Sequence, residues 1–301
     1  MSEIRFDDRV AVITGAGGGL GKTYALEFAK RGGKVVVNDL GGSADGSGAG
    51  SSMADQVVKE ISEAGGTAVA NYDSVATVEG GEAIIQTALD NFGQVDIVVN
   101  NAGILRDKSF AKLTNAELEI VLDVHLKGAF YVSQPAFRAM KERNYGRFIF
   151  TASAAGIFGN FGQTNYGAAK MGLAGLTKTL AIEGAKNDIR VNTIAPTAGT
   201  RMTEDLFPAA AFEAFAPEKV APGALYLVSE DAPTNVILGA GAGAFQASYV
   251  TLTRGTLLTG DDLSPEGVAA HWDAITDRTG EIVPKTGAEQ AMTVGKLLQG
   301  G

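Results

Sequence analysis

The chain has 301 residues, a net charge of -9, no cysteine and two histidines, His125 and His271. These numbers exclude disulfides, thiolate chemistry and a Cys- or His-rich metal site, so no metal is expected. The acidic balance repels polyphosphate, which argues against nucleic acid as a partner. With 45% apolar and 20% charged residues the chain can bury a large core. No apolar run nears the roughly 18 residues of a membrane span, and no apolar leader is visible, so a cytoplasmic location is expected.

In chain order, short β-rich runs alternate with helical periodicity. Strands are predicted at 10–14, 34–38, 67–72, 95–100, 147–151, 190–194 and 236–238. Helices are predicted at 20–31, 52–64, 78–92, 116–143, 164–186 and 217–229. Leu20, Tyr24, Ala25, Phe28 and Ala29 make one apolar face of the first. Such alternation predicts an α/β fold: a doubly wound, mostly parallel sheet of Rossmann type with right-handed crossovers. Residues 1–245 are expected to form one dinucleotide-binding catalytic domain, and 246–301 a C-terminal extension. Within the extension Ser264 and Pro265 open a helix running to 276. Residues 41–52 are rich in Gly and Ser and read as a surface loop or a flap beside a ligand. Gly239–Gly243 reads as a turn.

The first strand ends in Thr14-Gly15-Ala16-Gly17-Gly18-Gly19-Leu20-Gly21. This G-x-x-x-G-x-G sits between a strand and a helix. Glycines permit the tight turn, and missing Cβ atoms let backbone approach a pyrophosphate at the helix N-terminus. The second strand ends at Asp39, whose carboxylate suits the two ribose hydroxyls of adenosine and repels a 2′-phosphate. NAD is therefore expected over NADP. Asp73 and Ser74 after the third strand are placed near adenine. Asn101, Ala102 and Gly103 follow the fourth strand on the same carboxyl edge.

Tyr166 and Lys170 lie four apart on a predicted helix and so share a face. An ammonium beside a phenol favours the phenolate and lowers its pKa toward neutrality. Ser153, just after the fifth strand, is placed to hydrogen-bond a carbonyl oxygen.

Together these motifs resemble the short-chain dehydrogenase/reductase family over residues 6–245. The resemblance implies Tyr166 as general acid/base, Lys170 as its modulator and a holder of the nicotinamide ribose, and Ser153 as a substrate anchor. It also implies cofactor contacts from Pro196, Ala198, Gly199 and Thr200 after the sixth strand. Two positions depart from the family pattern. His125 stands where the family usually has Asn, so a proton relay through His125 to Lys170 is expected to differ. Thr197 replaces the usual Gly after Pro196.

A narrower resemblance, to the (3R)-hydroxyacyl-CoA dehydrogenase domains within that family, rests on 38–42, 69–75, 102–107, 159–163, 192–196 and 201–203. It implies hydride transfer between a (3R)-hydroxyacyl-CoA and NAD, as in fatty-acid β-oxidation, with an acyl-CoA thioester as substrate. Alternatives are a 3-oxoacyl carrier-protein reductase, another alcohol or sterol dehydrogenase, and a non-catalytic NAD-binding sensor. At 301 residues the chain is expected to hold this dehydrogenase alone. Family likeness implies a homodimer or homotetramer through helices 116–143 and 164–186.

Overall fold

The computed structural model describes residues 3–42, 48, 50–199 and 209–299. Thr200, Arg201, Met202, Thr203 and most of the glycine–serine segment after Gly42 lie outside the described residues. The chain forms two compact units, residues 1–247 and 248–301.

The strands are β1 (Val10–Thr14), β2 (Lys34–Asn38), β3 (Thr67–Asn71), β4 (Ile97–Asn100), β5 (Gly146–Thr151), β6 (Ile189–Thr197), β7 (Ile237–Gly241) and β8 (Ala244–Ser248). They make one sheet in the order β3-β2-β1-β4-β5-β6-β7-β8. All pairings from β3 to β7 are parallel. On β1 alternate residues face opposite layers, as the pleat requires. The helices of this unit are α1 (Gly19–Lys30), α2 (Ser52–Glu63), α3 (Val78–Phe92), α4 (Asn115–Leu122), α5 (Gly128–Arg143), α6 (Ala154–Phe158), α7 (Thr164–Gly184), α8 (Ala209–Ala214) and α9 (Ala221–Leu227). Ile13, Val35 and Val37 pack with Tyr24, Phe28, Val57, Ile61 and Leu225 from α1, α2 and α9. Val12, Val36 and Val98 pack with Ile84, Ile85, Val132, Met140, Leu173 and Leu176 from α3, α5 and α7. This is the doubly wound Rossmann-type sheet, and its strand order reverses between β1 and β4.

At the amino edge the buried Arg147 donates to the carbonyls of Gly146, Asp188, Ser229 and Glu230. It ties the starts of β5 and β6 together, and the opposite, carboxyl edge carries the cleft.

Helices α6 and α8 and strand β8 had no counterpart in the sequence reading, the helix expected over 217–229 is confined to α9, and three further differences stand out. First, the helix expected over 116–143 is interrupted: a π-helical turn, Asp123–Lys127, separates α4 from α5. A π turn adds one residue to the winding, which a 3.6-residue period cannot show. Here it accompanies tight packing. A Cβ at Gly128 would lie 3.0 Å from the Val75 carbonyl oxygen. His125 on the widened turn is buried. Second, Gly239–Gly241 belong to β7 rather than to a turn, and Ala240 and Gly241 pair with Pro196 and Thr197. Glycine is needed because a Cβ at Gly241 would lie 2.7 Å from the Thr197 carbonyl oxygen. The reversal itself is Ala242-Gly243, with φ of 52° and 82°. A two-residue link of this conformation joins antiparallel neighbours.

Third, the smaller unit has more helix than the sequence pattern shows. Ser264 caps α10 (Pro265–Ala270) by accepting from the Gly267 N–H at 3.1 Å. The helix stops at His271, whose Nδ1 donates to the Gly267 carbonyl at 2.8 Å, and α11 (Trp272–Thr276) follows. α12 (Gly287–Leu298) was not anticipated. Leu252 and Ile282 exchange backbone hydrogen bonds of 2.9 Å across this unit.

Candidate active site

The turn after β1 is held by its neighbour strand. Thr14 Oγ1 accepts from the N–H groups of Asn101 (3.0 Å) and Ala102 (3.1 Å). Asn101 Nδ2 donates to the carbonyls of Thr14 (3.0 Å) and Gly15 (3.1 Å). Gly15 takes φ +63°, and a Cβ there would fall 2.8 Å from Ala102 Cα. A Cβ on Gly21 would fall 2.3 Å from the Gly15 carbonyl oxygen. Only glycine fits either place. α1 begins at Gly19 without a side-chain cap and with no acid in its first turn. Its positive end is therefore left for an anion. Lys22 points elsewhere, pairing with Glu60 at 2.8 Å.

Asp39 is fixed beside this turn. Its Oδ2 accepts from the Gly17 N–H at 2.8 Å and its Oδ1 from the Gly41 N–H at 2.7 Å. A carboxylate has about four acceptor positions, so each oxygen retains one beyond the N–H it already accepts. Asn38 Nδ2 donates to Asn71 Oδ1 (2.8 Å) and to the Asp73 carbonyl (2.9 Å), which seats the Asp73-Ser74 turn.

A cleft of about 400 Å³ opens at the point where the sheet order reverses. It is lined by Gly15, Gly18, Gly19, Leu20, Asp39, Asp73, Ser74, Asn101, Ala102 and Gly103, all expected from sequence. Leu40, Met53, Val75, Ile104, Ile120 and Val124 also line it and were not among the expected cofactor contacts. Gly17 instead faces Asp39, and Gly21 packs against Gly15. Pro196, Ala198 and Gly199 lie at the carboxyl end of β6 but not in the cleft wall; the Gly199 N–H donates to the Phe215 carbonyl at 2.7 Å.

Ser153, Tyr166 and Lys170 come from two helices packed closely. Ser153 caps α6, its Oγ accepting from the Ala155 N–H at 3.2 Å. Gly156 of α6 touches α7 so closely that a Cβ would lie 2.6 Å from Lys170 Cβ. Lys170 is buried, and its Nζ donates to the Thr151 carbonyl at 2.5 Å. That Nζ stands 5.4 Å from the centre of the Tyr166 ring.

Burial pulls the lysine down to a pKa of about 7. Burial also pushes the tyrosine up, with the adjoining Ser153 hydroxyl pulling down and Asp107 pushing up. Burial is the leading cause of both shifts. The lysine shares the tyrosine's dry environment, and burial disfavours the charged form of each.

Sequence reasoning missed Asn165. Its Nδ2 donates to the carbonyls of Arg106 (3.1 Å) and Glu117 (3.2 Å), and its Oδ1 accepts from the Tyr166 N–H (2.8 Å). It moors the first turn of α7 to the loop after β4. The available signal was an amide directly before the tyrosine at a helix start. His125 lies edge-on to Tyr166, with ring centres 5.1 Å apart, and touches the Ile104 backbone.

A backbone cradle at the switch point, with a serine, tyrosine and lysine on adjoining helices, defines a dinucleotide-using oxidoreductase of the doubly wound class. Comparison with known proteins agrees. The family model described as short chain dehydrogenase matches residues 9–210. The chain is 50% identical over 300 residues to peroxisomal multifunctional enzyme type 2 of Mus musculus, across 99% of this chain and 40% of that one. It is 52% identical over 274 residues to a protein of Mycobacterium tuberculosis named as a short-chain type dehydrogenase/reductase, across 91% and 96%. A solved 7α-hydroxysteroid dehydrogenase, complexed with NADH and 7-oxo glycochenodeoxycholic acid, superposes with a TM-score of 0.72 at 29% identity. That match covers 80% of this chain and 95% of that one. The chain belongs to the short-chain dehydrogenases and is an oxidoreductase. It spans less than half of the mouse relative. Among the described residues no helix is long and apolar enough to cross a membrane.

Proposed function

We propose that the protein is an NAD-dependent dehydrogenase that interconverts a (3R)-hydroxyacyl-CoA and the 3-oxoacyl-CoA. The observation that carries the cofactor half is Asp39, pinned 2.8 Å from the Gly17 N–H at the rim of a side-chain-free turn. The cleft fits such a group: its walls at Gly15, Gly18 and Gly19 are bare backbone, and the α1 terminus is uncapped. The turn and α1 would hold the pyrophosphate, and Asp39 the adenosine ribose. Bound NAD supplies the hydride acceptor.

The protein's part is proton handling and positioning. Ser153 donates to the substrate oxygen and orients it. Tyr166 Oη takes the hydroxyl proton in oxidation and returns it in reduction. Lys170 holds the nicotinamide ribose and, when charged, favours the phenolate; its poise near 7 makes that help pH-dependent. The substrate half rests on similarity to the mouse multifunctional enzyme over nearly the whole chain.

Purified chain assayed with NAD and NADP against (3R)- and (3S)-hydroxyacyl-CoA tests both halves. NAD with the (3R) substrate is the expected pair. Turnover of only the (3S) form, or only of a sterol, overturns the substrate; preference for NADP overturns the role given to Asp39. Tyr166→Phe is expected to lower kcat about 10³-fold with NAD affinity within twofold, since general acid–base groups contribute about 10²–10⁴.

A homodimer or homotetramer and a cytosolic location belong to the same proposal. Phe130 on α5 and Met171 and Ile182 on α7 are large apolar side chains left exposed, which supports association. A monomer mass in light scattering removes the first. Fractionation that places the full chain in an organelle, as the mouse relative's peroxisomal name suggests for that protein, removes the second.

A further inference from the structure

Beside Asp39 the cleft wall is a methionine. Met53, in the first turn of α2, lines the cleft. A Cβ on Gly17 would fall 2.7 Å from Asp39 Oδ2 and 2.8 Å from Met53 Cβ. A Cβ on Gly18 would fall 3.4 Å from Met53 Cε. The carboxylate and the root of the methionine side chain therefore flank one residue of the turn, and the methyl end lies against the next. Gly17 has no room for a side chain of its own.

Met53 stands on an anchored helix. Ala54 and Val57 of α2 are buried in the core beneath it. Asp55 accepts from the Tyr72 hydroxyl at 2.5 Å, tying the first turn of α2 to the residue after β3. Glu60, further along, pairs with Lys22 of α1 at 2.8 Å.

NAD and NADP differ only by a phosphate on the 2′-hydroxyl of the adenosine ribose, the sugar given above to Asp39. A phosphate held there calls for cationic donors. The described lining of the cleft has no lysine or arginine. Asp55 sets a negative charge against the positive end of α2, the backbone end on this side that could otherwise attract an anion. Met53 presents carbon and a thioether, with no donor, so phosphate oxygens pressed against it would lose water without gaining a partner.

We propose, building on the NAD reading above, that Met53 is a specificity-determining residue: its side chain fills the space beside Asp39 and excludes a 2′-phosphate. Two separate effects then set the cofactor choice. The Asp39 charge repels at a distance and is screened by salt; the Met53 side chain acts by contact and is not.

Equilibrium titration of the full chain with NAD and with NADP, followed by fluorescence, tests it. The series is wild type, Asp39→Ala, and Asp39→Ala combined with Met53→Ala or Met53→Arg. Wild type is expected to favour NAD. In the Asp39→Ala background, Met53→Ala is expected to lower the NADP Kd about tenfold, the order that one pocket contact is worth, and to leave the NAD Kd within about threefold. Met53→Arg, which adds a forked donor, lowers the NADP Kd by about a further tenfold. An NADP Kd that Met53→Ala does not lower, or an NAD Kd that falls as much, overturns the proposal while leaving the role of Asp39 standing. Wild type that binds NADP as tightly as NAD overturns both. Met53 is half-buried at a helix start and alanine is a good helix former, so the alanine variants are expected to fold, which circular dichroism checks. If they do not, Met53→Val, which also lacks the thioether end, takes their place with the same outcomes.

Discussion

Replacing Lys170 with Met is expected to stabilise the ligand-free protein in mild acid and destabilise it in alkali. An amine brought by burial from its usual 10.5 to about 7 carries about 5 kcal/mol of destabilisation when charged. Below pH 7 both folded and unfolded chains hold the proton and the penalty is full. Between 7 and 10.5 the unfolded chain binds a proton that the folded chain lacks, so the wild type gains stability as pH rises. Above 10.5 neither state is charged and the penalty is gone. Methionine removes the penalty but leaves the Thr151 carbonyl without the Lys170 donor, a cost of about 1–3 kcal/mol. The variant should therefore be more stable than wild type by about 2–4 kcal/mol near pH 6 and less stable by about 1–3 kcal/mol near pH 10.5. Urea unfolding of both proteins, at fixed ionic strength and at several pH values, gives the difference directly. A difference that does not change sign with pH, or a variant weaker at pH 6, refutes the claim that burial of the ammonium dominates here.

Gly156→Ala places a methyl group 2.6 Å from Lys170 Cβ and must part α6 from α7. kcat is expected to fall about 10²-fold, the order associated with misplacing a reacting group by about 1 Å; unchanged steady-state kinetics would show that the contact does not set the geometry. Asp39→Ala removes the acceptor beside the cradle. Loss of charged hydrogen bonds worth about 1.5–3 kcal/mol predicts a 10- to 100-fold rise in the NAD Kd by fluorescence titration, with NADP no worse than before. An unaltered NAD Kd would take Asp39 out of the site. Tyr24 is buried and its hydroxyl has no partner among the described residues, which pushes its pKa up. Tyr24→Phe should leave stability unchanged or raise it by about 1 kcal/mol in urea, and a loss larger than that would reveal a bond to the hydroxyl.

The sheet was legible because its strands are apolar on both faces, and a run such as Val35-Val36-Val37 admits few other readings. Helix positions followed from periodicity and caps, down to Ser264 accepting from the Gly267 N–H. Periodicity failed where the backbone itself changes period. The π turn at Asp123–Lys127 adds a residue to the winding, and at the stop the His271 ring bonds the Gly267 carbonyl; a 3.6-residue period registers neither. The run Gly239–Gly243 misled for a related reason. Glycine marks a close approach of backbone, and in β7 the approaching backbone is β6 rather than a turn.

The candidate site divides in the same way between what spacing determines and what only packing determines. The glycine turn was readable because a strand-to-helix turn pressed against neighbouring backbone requires glycine at fixed positions, and the meeting of Tyr166 with Lys170 because four residues make a helical turn. The charge on Lys170 was not readable. It depends on burial, to which Thr151 and Gly156 contribute from other elements. The same enclosure that brings the lysine near the phenol removes water from both, and for an isolated pair desolvation outweighs attraction. A substrate or dinucleotide entering the cleft would change that balance. The pKa values of the pair are therefore properties of the loaded site, and a pH–rate profile displaced from the titration of the free protein is the expected consequence.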